Sequence, residues 1–228
     1  MDINYMQYIK NFLEKLEPLN PTPAGIAPQV QKQHELKAFV FDVYGTLLIS
    51  DSGDIDEAEI NAENLKKALN YAGISISGDE NQEKHILHEM LNEYVNEIKG
   101  FHSLNRTTDK PYPEIDILNI WQTIITKNQK RRRINLNGTL CIKCLTFVFE
   151  ILSNRIYPMP GMHEVIKRLA EKNVPLGIVS NAQFYTPVVM NYFLTGQITE
   201  KEYVYFFDPD ITVFSYKYKR SKPDLYLF

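Results

Sequence analysis

Cysteine is almost absent: Cys141 and Cys144 are the only two in 228 residues. Two cysteines cannot staple a chain of this length, so their number gives no sign of an oxidising compartment. Long apolar runs are missing too, and no stretch approaches the roughly 20 apolar residues of a membrane span. The first ten residues carry Asp2 and have neither the basic start nor the apolar run of a secretion signal. The net charge is only -3, which offers no global attraction to nucleic acid or to an acidic membrane surface. Internal repeats and low-complexity tracts are absent as well. With 44% hydrophobic and 23% charged residues, the composition is that of an ordinary globular protein. The expectation is a soluble cytoplasmic protein with one large domain, or a core domain with a smaller one inserted.

What is present changes character along the chain. Tyr5, Ile9, Phe12, Leu13 and Leu16 fall at helical spacing, with Lys10, Glu14 and Lys15 between them. This predicts an amphipathic helix packed on the body of the protein, with a homodimer contact or a membrane-surface contact as alternatives. Pro21, Pro23, Gly25 and Pro28 make a breaker-rich linker. The run Ala38-Phe39-Val40-Phe41 reads as a strand buried on both faces, and it leads directly into Asp42 and a Gly45-Thr46 turn. Asp51, Gly53, Asp54 and Asp56 mark a polar loop. Residues 60–72, 83–98, 115–126 and 140–152 then read as helices.

After Pro158-Met159-Pro160-Gly161 the pattern alternates. Helices at 162–172 and 184–194 are interleaved with short apolar strands at 174–180 and 211–215. Such alternation predicts a parallel sheet built by crossover connections. The fold class is therefore α/β, a Rossmann-like parallel core interrupted by an all-helical insert. The expected division is 1–35 for the N-terminal helix and linker, 36–55 and 155–228 for the core, and 56–154 for the helical cap.

Ligands of open parallel sheets collect at the carboxyl ends of strands, and three such ends carry chemistry here. Asp42 ends the first strand, with Thr46 adding a hydroxyl in the following turn. Ser180-Asn181 ends the second and offers a hydroxyl and an amide. Lys222, before Pro223-Asp224, places a cation beyond the third. A carboxylate, hydroxyl and amide donors and a lysine suffice for covalent catalysis on an anionic substrate.

In this order the motifs resemble those of the haloacid dehalogenase superfamily. Asp42-Val43-Tyr44-Gly45-Thr46-Leu47 is similar to its first motif, Ile178-Val179-Ser180-Asn181 to its second, and Ser215 through Lys222-Pro223-Asp224 to its third. The resemblance covers residues 36–228, and the helical insert stands where that superfamily carries its cap. It implies Asp42 as nucleophile, forming an aspartyl ester, and Lys222 as the group neutralising developing charge. Tyr44, Thr46, Ser180 and Asn181 would then contact the substrate. It implies a small-molecule substrate, with no nucleic acid or membrane as partner. A homodimer through the N-terminal helix or the cap stays open.

The same resemblance brings three departures. Phosphatases of the superfamily carry a second aspartate two residues after the nucleophile; here the position is Tyr44, a poor base with an ordinary pKa near ~10. Tyrosine there is what its haloacid dehalogenases show. Those enzymes also use a cap-side arginine, yet no arginine lies between Tyr44 and Phe101, Arg106 being the first, and Lys66 and Lys67 offer charge without a bidentate fork. Finally, no acidic pair follows Lys222 before Phe228. The expectation is a fragment of a longer chain, or a truncated member, with the strand at 38–41 left as an apolar edge. Carbon–halogen hydrolysis without a metal, magnesium-dependent phosphoester hydrolysis using Asp42 and the Tyr44 carbonyl, and a non-catalytic binding role remain the three readings.

Other signals read as structural. A lone Cys141-Ile142-Lys143-Cys144 lacks the second pair of a zinc site. His85 and His88 beside Glu89 read as a solvated helix face, and Lys130-Arg131-Arg132-Arg133 as an exposed turn of the insert.

Overall fold

Three short strands from distant parts of the chain pair in parallel in the computed structural model, which describes residues 3–23, 25–27, 29, 36–51, 60–199, 201 and 203–228. They are β1 (Phe39–Phe41), β6 (Leu176–Ser180) and β7 (Thr212–Phe214), in the spatial order β1-β6-β7. Phe39 stands opposite Leu176 and Phe41 opposite Ile178, while Ser180 stands opposite Phe214. The register brings the carboxyl ends of the three strands to one side. Pro28 of the linker, Gly53, Asp54 and Asp56 of the polar loop, and the boundary between 55 and 56 lie outside the described residues.

Two helices connect the later strands. Helix α6 (Met162–Glu171) begins after Gly161, whose positive φ of 79° suits glycine, and it buries Met162 and Ile166. Helix α7 (Tyr185–Thr195) links β6 to β7 and ends at Gly196, again with positive φ. In the middle of the sheet, β6 carries Gly177 for a steric reason. A Cβ there would lie 2.3 Å from the Ile211 carbonyl oxygen, so the neighbouring segment approaches only because the side chain is missing.

Between β1 and α6 lies the long insertion. It is flanked by β2 (Leu48–Ser50) and β5 (Ile156–Pro158), which pair antiparallel, Leu48 opposite Pro158 and Ser50 opposite Ile156. The two ends of the insertion are thus tied to each other. Inside it are α2 (Ala62–Tyr71), α3 (Glu80–Asn105), α4 (Ile117–Lys130) and α5 (Ile142–Ser153). A small ladder of β3 (Ile74–Ile76) with β4 (Ile134–Leu136) accompanies them. The insertion is helical, with that ladder as an addition too short to leave a periodic trace. Three of these four helices start on a preferred cap residue: Asn61 on α2, Asp116 on α4, and Asp79 with Gln82 as a reciprocal capping box on α3.

Helix α5 is apolar almost all round because neighbours cover it on several sides. Phe147 meets Phe12 edge-on at 6.2 Å, and Trp121 and Phe149 meet at 4.8 Å. Phe12 comes from α1 (Ile3–Leu13), whose Ile9, Phe12 and Leu13 are buried. The apolar face of α1 is therefore used within the chain, although the Tyr5 side chain is outside the described residues. Cys141 and Cys144 are joined as a disulfide at the start of α5, closing a loop too short to constrain the unfolded chain much. Two residues of the basic run form ion pairs to α3, Arg131 with Glu93 and Arg133 with Glu89. His85 and His88 sit beside Glu89 and the Lys84 carbonyl, and no group of three metal-ligating side chains converges among the described residues. No helix among them is long and apolar enough to cross a membrane.

One expectation needs correction. The strand at 38–41 is not buried on both faces: Phe39 and Phe41 are half-buried and Val40 is 55% exposed. The reason is its position, since β1 pairs with β6 on one side and no described strand covers the other. Two outcomes follow. Gly177→Ala should lower stability by roughly 1–3 kcal/mol, read from the denaturant midpoint; an unchanged midpoint would contradict the close approach. Val40→Lys should reduce concentration-dependent light scattering while moving stability by less than about 0.5 kcal/mol, because a charge on an open edge blocks strand pairing.

Candidate active site

The turn after β1 is built by one carbonyl. The Val43 oxygen accepts from the N–H groups of Thr46, Leu47 and Leu48, and Gly45, with φ of 78°, makes that reversal accessible. Asp42 is thereby held at the mouth of the turn, its Oδ1 accepting from the Val43 N–H at 2.8 Å. Its other oxygen, Oδ2, takes the Lys222 ammonium at 2.6 Å. Lys222 is itself positioned by β6, because its backbone N–H donates to Asn181 Oδ1 at 2.6 Å. Beyond β7, Ser215 Oγ accepts from the Ala182 N–H at 2.8 Å, tying the second and third strand ends together.

These groups open onto a cavity of about 480 Å³ lined by both the sheet ends and the insertion. Asp42, Tyr44, Asn181 and Lys222 line it. Thr46 and Ser180 do not. Thr46 is exposed in the turn, and Ser180 is buried at the end of β6 with its hydroxyl directed to the Asn181 carbonyl at 3.3 Å. Lys66 and Lys67 are likewise elsewhere, paired with Glu83 at 2.8 Å and Glu63 at 2.7 Å on the surface of the insertion. No arginine lines the cavity among the described residues, Arg106 included.

Tyr44 is a neutral hydrogen-bonding group. Its hydroxyl lies 2.7 Å from Thr186 Oγ1. Burial pushes the phenol well above its ordinary range; the Thr186 contact opposes this, and the nearby Glu150 and Asp42 charges add to the rise. It cannot act as a base at neutral pH.

The insertion contributes two acids that the motif pattern did not announce. Glu114, from the segment before α4, is held by Gln183 Nε2 at 2.9 Å on one oxygen and by Ser215 Oγ at 2.5 Å on the other. Burial raises its carboxyl above the usual range, with the bonds from Ser215, the Ile115 N–H and Gln183 pulling the other way. Glu150, from α5, accepts from Tyr94 at 2.9 Å and from Trp121 Nε1 at 3.4 Å, both on Oε1. Burial pushes its pKa up to about 7 against the effect of those two bonds. His102 also lines the cavity, its pKa lowered by burial and by Arg106. The available signal for Glu150 was that it is the one carboxylate in the apolar stretch 144–152; Glu114, in a proline-rich loop, left none.

If magnesium binds here, Asp42 and the Tyr44 carbonyl would supply two of its oxygen ligands, with water and substrate oxygens supplying the others; the Lys222 ammonium stands on Asp42 Oδ2.

The strand ends of a parallel α/β core thus present a lysine-paired aspartate to a cavity that the inserted segment also lines, the arrangement expected of a hydrolase built on an α/β core. The chain matches the model of the haloacid dehalogenase-like hydrolase family over residues 36–227 and belongs to that family. No curated protein matches it.

The raised pKa of Glu150 has a direct consequence for stability. Its folded pKa, about 7, lies above the ordinary 4.5, so the folded state holds a proton that the unfolded state releases between those values. That contribution is fully present below about pH 4.5 and is lost as pH rises through about 7. Glu150→Gln keeps the acceptor for Tyr94 and removes the charge. It should stabilise the protein at pH 8 by roughly 2–3 kcal/mol, with little effect at pH 4.5, as read from denaturant midpoints at the two pH values.

Proposed function

We propose that Asp42 is the nucleophile of a hydrolase acting on a small organic molecule, with residues 56–154 as its cap. The observation that carries this reading is the 2.6 Å contact of Lys222 with Asp42 at the mouth of the cavity. An Asp42 carboxylate oxygen attacks the electrophilic centre of the substrate and the leaving group departs with the bonding pair. Water then cleaves the ester, returning the carboxylate. Lys222 offsets the charge that develops, and Asn181 fixes Lys222 through its backbone.

The first reading of the cleaved bond is carbon–halogen. A leaving halide needs no proton, and Tyr44, locked on Thr186, offers no acid–base help. A specific observation favours a second reading, the phosphoester. No arginine lines the cavity to receive a halide or a substrate carboxylate, while Glu150, whose pKa burial pushes up to about 7, can lend a proton to a departing oxygen.

A panel of haloalkanoates and phosphomonoesters, assayed for free halide and free phosphate with and without magnesium, separates the two. Halide release independent of magnesium supports the first, and phosphate release supports the second. In either case Asp42→Asn should lower kcat by at least ~10³-fold. Activity unchanged by that substitution would overturn the nucleophile and leave a ligand-binding role.

A further inference from the structure

The part of the cavity lined by the insertion is acidic, and its two acids are not equivalent. Both oxygens of Glu114 are engaged, by Gln183 and the Ile115 N–H on one side and by Ser215 on the other. Glu150 uses only Oε1. Its Oε2 accepts no hydrogen bond and meets no cation among the described residues, and it is not sealed from the cavity that Glu150 lines. A half-buried carboxylate oxygen without a partner is costly, and its natural complement is a charged donor.

The surroundings say which donor. Lys222 is the one lysine or arginine among the lining residues, and its ammonium is spent on Asp42. Among the described residues, none supplies a lysine or arginine to Glu150. Glu114 lines the same cavity. A bound carboxylate or phosphate at this end would add a negative charge to an acidic wall, whereas an ammonium would complement it.

From this arrangement we propose that Glu150 is the substrate-recognition carboxylate of the cavity and that the substrate carries an ammonium group there. This rests on the assignment of Asp42 as nucleophile only for its orientation: the reacting group sits at Lys222 and the amine at Glu150. The substrate is then amine-bearing, and Glu150 acts on binding rather than on bond cleavage.

Trp121 makes the proposal testable without turnover. It is the only tryptophan in the chain, and its Nε1 donates to Glu150, so tryptophan fluorescence responds to changes at this carboxylate. Titration of the full chain with n-butylammonium should give a saturable fluorescence change that 1-butanol does not give. Glu150→Gln should weaken the amine at least about tenfold, and Asp42→Asn should change it by less than about threefold. That last arm separates the two assignments, since Asp42→Asn abolishes hydrolysis while the amine site persists. Equal titration by the amine and the alcohol, or unchanged amine binding in Glu150→Gln, would overturn the proposal. In turnover, Glu150→Gln should raise KM for an amine-bearing substrate and leave kcat within about threefold. A fall in kcat across amine-bearing and amine-free substrates alike would instead make Glu150 a proton donor and overturn the recognition role.

Discussion

The ion pair between Lys222 and Asp42 depends on three separate strand ends, and most of the site depends on it in turn. Asp42 is fixed by the turn that the Val43 carbonyl organises, and Lys222 by Asn181 at the end of β6. The third strand end is tied in through Ser215 and Ala182. Only parallel pairing in this register brings those ends to one side of the sheet. Gly177 is where that requirement is felt most sharply, because the close approach of the 211 segment leaves no room for a side chain.

The insertion completes the cavity by a different logic. Its own core is aromatic and aliphatic, centred on α5 and on Tyr94, Trp121 and Phe149. The polar ends of that core are what face the cavity. Tyr94 and Trp121 bury their rings and spend their donors on Glu150, so a carboxylate is held where burial opposes its charge. A second acid, Glu114, bridges the insertion to both β6 and β7 through Gln183 and Ser215. Packing of the insertion and chemistry of the cavity are therefore not separable.

The departures from the family's usual motif acquire physical content in this arrangement. Tyr44 replaces an acid–base aspartate with a buried, neutral hydroxyl committed to Thr186. Acid–base capacity is present all the same, on the insertion side of the cavity. No arginine is among the described residues lining the cavity, and Glu114 and Glu150 are. The charge that the insertion brings to the cavity is therefore acidic.

The sequence by itself determined the parallel α/β core, the order of its elements, and Asp42, Asn181 and Lys222 as groups at strand ends. Strand ends and short apolar runs are local signals, and an ordered set of motifs along one chain needs no knowledge of contacts. Helix positions were legible for the same reason, to within a few residues at most ends; α3 runs several residues further at its C-terminal end. Tertiary structure decided what lies between elements. It placed Thr46 and Ser180 away from the cavity, since the turn and the buried end of β6 direct them elsewhere. It exposed Val40, because no described strand covers the outer side of β1. It also brought Glu114 and Glu150 into the cavity that Asp42 lines from 72 and 108 residues away, by the difference of their numbers from 42. Proximity across such separations is a property of packing, and no periodicity along the chain records it.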